Sequence, residues 1–288
     1  FEISVSTISR DIEFMKYMLS APIKYDASHR GYCYTKKMYR LPAGFSGADD
    51  ILALGMAKSI LSLYQDTPLY KAANQLLESI TAPIASDGNR DWLENRILVP
   101  KIASAKIDQT IWETIIAGLK ENKRITFDYL GVWDEEYYQR RVRPYQLLFD
   151  SGVWYLYGHS DDRNDLRIYS LSRMRNIAIT KDVFTLPKNF SYNDWTGDSY
   201  FGVFIGHKKE RFSIECYYDA AVYAAERQWA ADQKITKIDE GILFEFSSTQ
   251  YGKVLSWVLS CGSNAIPRQP QELVDDWKAE IKRMRDLI

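Results

Sequence analysis

The chain has 288 residues, 46% hydrophobic, 26% charged and 14% aromatic, with a formal net charge of -1, a soluble globular composition with enough apolar material for two or three domains. The near-zero balance excludes a uniformly basic nucleic-acid coat, so any such contact has to come from local patches. Three distant cysteines, Cys33, Cys216 and Cys261, argue against a disulfide framework or zinc site, and no apolar run approaches the ~18 residues of a membrane span, so a cytoplasmic protein with no membrane partner is expected.

In chain order, Ile8, Ile12, Met15 and Leu19 recur at spacings of four, three and four, which predicts a helix with one buried face. Ser4 or Ser6 can cap its start. The opposite face carries Ser6, Ser9 and Arg10, groups that helices place on phosphates and base edges. Two short strands are then predicted around the basic turn Ser28-His29-Arg30-Gly31. Ser4, Thr7, Ile8, Arg10 and Asp11 follow an S-x-x-T-I-x-R-D pattern, and with the hairpin this segment resembles the end of a DeoR-like winged helix-turn-helix. The resemblance implies that Ser6, Thr7, Ser9 and Arg10 face a DNA major groove while Lys24 and Arg30 contact phosphates. It also implies that the first helices of such a domain precede Phe1, so that this stretch alone binds DNA poorly.

Glycines and Pro42 predict a linker over residues 39–47. Two helices follow at 48–64 and 68–80, the second opened by Pro68, then a loop at 82–89. A helix over 108–121, with Ile111, Ile115, Ile116 and Leu119 apolar, leads into the next segment. There the period changes to two. Strands are predicted at 125–129, 138–143, 146–149, 153–159, 165–171 and 177–184, six short strands with tight turns that suggest a small curled sheet or barrel.

This segment is skewed toward arginine. Residues 124–175 hold eight arginines (Arg124, Arg140, Arg141, Arg143, Arg163, Arg167, Arg173, Arg175) and no lysine, against eighteen and nineteen in the whole chain. A guanidinium holds phosphate or carboxylate through two parallel hydrogen bonds, which lysine cannot do. The set therefore points to an anion site, although each arginine taken singly can also be explained by pairing with the eight acids of the same window. Trp154-Tyr155-Leu156, preceded by Arg143 and Pro144 and followed by Arg167-Ile168-Tyr169-Ser170-Leu171-Ser172-Arg173, resembles the WYL domain of bacterial transcriptional regulators. Ser172 departs from an aspartate usual in that family, which removes a partner of Arg173, and Ser170 stands where an extra arginine often sits. The resemblance implies an Sm-like or SH3-like barrel that binds a nucleic-acid-related effector, such as a short single-stranded DNA or an oligonucleotide.

Alternation places Trp154, Leu156 and Gly158 on one face of their strand and Tyr155, Tyr157 and His159 on the other. Trp154 and Leu156 are expected in the core. His159 is either a structural group or a ligand contact. Arg167 and Arg173 share a face with Tyr169 and Leu171, so if those two point inward the arginines lie at the rim. The candidate ligand residues are Tyr129, Arg143, His159, Arg163, Arg167 and Arg173, with Tyr129, Tyr155 or Tyr157 able to stack a base if exposed.

After a polar linker at 187–199, the order β, α, β, β, α, β-like, α suggests a ferredoxin-like unit. Arg227-Gln228-Trp229, Gln233-Lys234-Ile235, Gly241 and the run from Val254 to Gly262 resemble the C-terminal extension attached to WYL domains. The expected fold is thus α+β and multidomain: a winged-helix remnant at 1–38, a helical linker and dimerisation region at 39–107, the WYL barrel at 108–187 and the extension at 200–288.

Nothing favours catalysis. His29, His159 and His207 are scattered without H-x-x-x-H spacing, and no phosphate-loop, dinucleotide or nucleophile-elbow motif occurs. No cofactor or metal is expected. The reading is a homodimeric, ligand-responsive DNA-binding transcriptional regulator that reads a double-stranded operator. A protein-interaction barrel and a nucleotide-processing enzyme are the alternatives.

Overall fold

The computed structural model describes residues 4–17, 21–36, 48–65, 67–81, 99–100, 102–188, 190, 200–204 and 208–288. The predicted linker at 39–47, the loop at 82–89, most of the linker at 187–199 and His207 lie outside the described residues. The fold is mixed α and β and divides into two compact units, Phe1–Lys106 and Ile107–Ile288. Among the described residues no helix is long and apolar enough to cross a membrane.

In the first unit, helix α1 (Val5–Tyr17) precedes a hairpin of β1 (Ile23–Asp26) and β2 (Gly31–Tyr34), paired antiparallel with Asp26 opposite Gly31. Ser4 is the cap: its carbonyl accepts Thr7 N–H and Ile8 N–H at 3.0 and 3.2 Å, and its Oγ lies 3.3 Å from Thr7 N. Of the face expected to be buried, Ile12 and Met15 are half-buried but Ile8 is 47% exposed, and Leu19 lies outside the described residues. The hairpin turn is made by Asp26 and not by Gly31. Asp26 Oδ1 accepts Ser28 N–H and Oγ–H at 2.8 and 2.6 Å, Asp26 Oδ2 lies 2.7 Å from His29 Nδ1, and the left-handed residue is Arg30 at φ 47°. Side-chain bonds of this kind let a short loop close without glycine. Helices α2 (Ala48–Leu61), continued by the 3-10 turn Ser62–Tyr64, and α3 (Pro68–Thr81) follow, as the sequence predicts.

The second unit begins with helix α4 (Gln109–Glu121). Asp108 caps it, accepting Thr110 N–H and Ile111 N–H at 2.8 and 3.4 Å, and Asn122 ends it at φ 50°. Ile111 and Ile115 are buried, while Ile116, about 100° further round the helix from Ile115, is 41% exposed. Five antiparallel strands follow: β3 (Lys123–Tyr129), β4 (Tyr138–Asp150), β5 (Val153–Ser160), β6 (Asp165–Ser170) and β7 (Met174–Val183), ordered β6-β5-β4-β3-β7. The two strands predicted at 138–143 and 146–149 are one strand. Pro144 lacks an N–H to give to the ladder, yet pairs opposite Gly158 at a register shift between Pro144 and Gln146 that absorbs the irregularity.

One face of this sheet and helix α4 enclose Ile111, Ile115, Ile125, Phe127, Tyr129, Val142, Leu156, Tyr169, Leu171 and Met174, with Trp112, Leu147 and Trp154 packed against them. The other face is also partly covered. Tyr157 is fully buried, its ring stacked at 5.8 Å on Phe190, and Tyr155 meets Phe204 at 5.5 Å. This double cover explains why strand β5 is apolar on both faces.

The rest of the unit is β8 (Glu210–Tyr217), α5 (Tyr218–Glu226), β9 (Lys234–Ile238), β10 (Gly241–Ser248), α6 (Tyr251–Ser260), β11 (Ala265–Gln269) and α7 (Gln271–Arg285). The strands lie antiparallel in the order β11-β8-β10-β9. Phe212, Ile214, Phe244, Phe246, Val254, Val258 and Leu273 are buried to 0% exposure in its core. Lys253 Nζ reaches Asp150 Oδ2 at 2.8 Å and ties α6 to the end of β4.

Candidate anion-binding site

Three strands deliver cations to one carboxylate. Because Val142 and Leu156 point into the core, alternation sends Arg141 and Arg143 on β4 and His159 on β5 to the opposite face, and Arg124 leaves β3 on that same face beside buried Ile125. Asp161, one residue past the end of β5, receives them. Its Oδ1 lies 2.8 Å from Arg143 Nε and 3.8 Å from His159 Nδ1, and its Oδ2 lies 3.0 Å from Arg124 Nε and 3.8 Å from Arg141 Nε. The Asp161 side chain is 20% exposed, with Arg124 at 22% and Arg143 at 35%. Charges in so partly dehydrated a cluster interact more strongly than on an open surface.

Tyr145 stands beside the cluster. Its half-buried ring meets Phe190 at 5.2 Å, Phe184 at 5.8 Å and Tyr157 at 6.3 Å. Burial pushes its phenol above the ordinary value, with Arg143 opposing and Asp161 adding to the shift. Burial likewise pushes Tyr157 up to about 12, with Tyr145 adding to it. The arrangement is a guanidinium cluster bordered by an aromatic ring.

The other arginines expected here go elsewhere. Arg167 pairs in register with Gly158 and so takes the core-side face of β6, at its exposed end, where Nη2 contacts Asp165 Oδ2 at 2.9 Å. Arg163 is exposed in the turn 161–164. Arg173 lies over the Tyr129 ring at 5.4 Å. Tyr129 itself is only 7% exposed, edge-on to Phe127 and Tyr169, and its hydroxyl accepts Ser170 N–H at 3.1 Å, so neither it nor buried Tyr157 presents a free face for a base. Ser170 and Ser172, the two departures from the family pattern, hydrogen-bond to each other at 3.0 Å. The six residues expected to gather round one ligand therefore divide: Arg143 and His159 join Asp161, while Tyr129 and Arg173 form a separate group near the 3-10 turn Leu171–Arg173.

Arg124, Arg141 and Asp161 are site residues that the sequence reading did not assign. The signal available was the i, i+2 spacing of Arg141 and Arg143, which puts both on one strand face. Asp161 was one of the eight acids of the window 124–175, with nothing to single it out. In the first unit, Ser6, Ser9, Arg10, Lys24 and Arg30 are exposed, and Thr7 is half-buried with its Oγ1 2.8 Å from Ser4 Oγ. Among the described residues no group of His, Cys, Asp and Glu is placed to hold a metal ion.

A family model described as the WYL domain matches residues 110–179. Over 188 residues the chain is 28% identical to the uncharacterized HTH-type transcriptional regulator YobV of Bacillus subtilis (strain 168), covering 64% of this chain and 58% of that protein. It is 24% identical over 147 residues to protein PafB of Mycobacterium leprae (strain TN), covering 50% of this chain and 43% of that one. It thus spans about half the length of these curated relatives. Among solved structures, proteasome accessory factor B/C (PafBC) of Arthrobacter aurescens is similar at 18% identity with a TM-score of 0.34, over 96% of this chain and 40% of that chain. A CRISPR Cas-related protein is similar at 15% identity with a TM-score of 0.41, over 73% and 57%. Neither superposition is close enough to carry the fold.

Proposed function

The chain carries a WYL domain, and from that premise we propose that it is a DNA-binding transcriptional regulator in which this domain senses an anionic, nucleic-acid-derived effector, a short single-stranded DNA or oligonucleotide. The observation that carries the sensing role is the convergence of Arg124, Arg141, Arg143 and His159 on Asp161 beside the ring of Tyr145. Arginine forks hold phosphate oxygens and an adjacent ring can stack a base, and this pairing of groups is what single strands bind. Arg163, Arg167 and Arg173 are left as an outer set that a longer strand would reach, while Tyr129 stays in the core.

The DNA-binding role is supported by the exposed polar face of α1 and the basic hairpin, and by the likeness to a protein named as an HTH-type transcriptional regulator. In this reading α1 and the hairpin are the end of a winged helix, with Ser6, Thr7, Ser9 and Arg10 in the major groove and Lys24 and Arg30 on phosphates. The protein works in the cytoplasm as a homodimer on a two-fold operator, and it binds its effector without turning it over. The five-stranded sheet is an SH3-like or Sm-like barrel, and the strand order β11-β8-β10-β9 supports a ferredoxin-like fold for the C-terminal part. The effector shifts operator binding by as much as its affinity differs between the two arrangements of the dimer.

The test is fluorescence polarisation of a labelled ten-nucleotide single-stranded DNA at two salt concentrations, against the chain and two double variants. Binding that weakens with salt, is lost in Arg124→Ala with Arg143→Ala, and survives in Arg167→Ala with Arg173→Ala is the expected result. Equal binding by all three proteins, with folding verified by circular dichroism, removes the cluster as the effector site.

A further inference from the structure

Asp161 is held by the strand whose arginines it meets. Its N–H donates to Arg141 O at 2.8 Å, and Asp162 Oδ2 accepts Arg141 N–H at 2.8 Å. The other nearby acids are committed: Asp162 to that N–H, Asp182 to Arg141 Nη2 and Asp165 to Arg167. Among the described residues neither Arg124 nor Arg143 has a second acidic partner, so one carboxylate serves both and touches Arg141 as well.

It serves them poorly. Arg124 Nε, Arg143 Nε, His159 Nδ1 and Asp161 Oδ1 are all shut off from water, yet none has a hydrogen bond of good direction. The two arginine contacts, at 2.8 and 3.0 Å, are short but poorly directed, and His159 Nδ1 stands off at 3.8 Å. Buried polar atoms of this kind call for an explanation. A planar carboxylate offers its lone pairs in one plane, whereas the two free oxygens of a phosphodiester lie on a tetrahedral phosphorus and can accept from several guanidinium groups in different planes.

We propose that Asp161 is a resident counter-ion of the site: it holds the guanidinium groups of Arg124, Arg141 and Arg143 together while the site is free, and a phosphate of the effector displaces it. This rests on the reading of the cluster as the anion site and adds to it the group that is bound and the residue that competes for it. Displacement frees the Asp161 carboxylate from the β-sheet and so alters the turn 161–164 that joins β5 to β6.

The test uses the full chain and the same ten-nucleotide probe. Asp161→Asn keeps the shape and removes the competing charge, and it is expected to bind about tenfold more tightly, the worth of roughly one charge-assisted hydrogen bond. In the wild-type chain with 13C-labelled aspartate, the Asp161 carboxyl resonance is expected to move as the probe is added, which decides the matter even if the Asn variant does not fold. Unchanged or weaker binding by folded Asp161→Asn, or an Asp161 resonance that stays fixed while the probe binds, overturns the proposal. If Arg124→Ala with Arg143→Ala still loses the probe in that case, the anion site stands without the counter-ion. If that variant binds like wild type, the site reading falls and takes the proposal with it.

Discussion

Arg143 and His159 are register partners across β4 and β5, and both lie beside one atom, Asp161 Oδ1, at 2.8 and 3.8 Å. A sheet places such partners on the same face at closest approach, so the pairing of strands builds the site. The guanidinium fork, more than its charge, is the feature an oxyanion would use. Arg143→Lys, which keeps the charge, is expected to weaken binding of the single-stranded probe by about tenfold while changing stability by less than about 1 kcal/mol. Polarisation and thermal melting check this. Wild-type affinity in the lysine variant means that only the net charge matters.

Gly158 lets the two strands come together at this point. A Cβ there would lie 2.4 Å from Arg143 O and 2.9 Å from Val142 Cγ1. Backbone cannot yield as a flexible side chain does, so Gly158→Ala is expected to destabilise the domain by about 1–3 kcal/mol and to shift Arg143 away from Asp161. Denaturant unfolding measures the first effect and weaker probe binding the second. An alanine variant as stable as wild type rules out a tight approach of β4 to β5.

The positions of these elements were legible because they rest on local signals. Alternation from Arg124 onward, the apolar spacing of the helix over 108–121 and Pro68 at the start of its helix each depend on neighbours in sequence. The arginine excess falls on the sheet that carries the Asp161 cluster. The sharing of Asp161 was not legible, since it depends on which strands lie side by side and on a face assignment three strands wide. The bend at Pro144 read as a strand break for a sound local reason, and only the facing Gly158 shows that the ladder continues. Whether Tyr157 was exposed was not legible either, because its cover, Phe190, comes from a later segment.

The hairpin of the first unit carries a titration that its geometry predicts. Hydrogen bonds from the Ser28 side chain, then from His29 and the Ser28 backbone, hold the Asp26 carboxyl down at about 2, from an ordinary 3.8. A carboxyl depressed on folding stabilises the turn fully above its unfolded value, and that contribution is lost as pH falls from there through about 2. Carboxyl 13C shifts of Asp26 are expected to titrate with a midpoint near 2, and Ser28→Ala is expected to raise it. A midpoint at the ordinary value in the wild-type chain contradicts this turn.

Gln250, 3% exposed, holds the segment that lies over Tyr155. Its Oε1 accepts Phe204 N–H at 3.1 Å and its Nε2 donates to Phe204 O and, at 3.2 Å, to Thr249 Oγ1. The amide thus satisfies both backbone groups of a residue that has no strand partner, and it fixes the Phe204 ring on Tyr155 at 5.5 Å. Gln250→Ala leaves those groups unmet and is expected to cost about 1–3 kcal/mol. Glu at this position turns the donor that meets Phe204 O into a carboxylate oxygen in a buried site, so Gln250→Glu is expected to cost at least as much as alanine. Hydrogen exchange at the Phe204 amide is the decisive readout, because loss of this clamp speeds exchange there before the core of the C-terminal sheet responds. If Phe204 exchanges at the wild-type rate in the alanine variant, the segment is held by its ring and not by the glutamine.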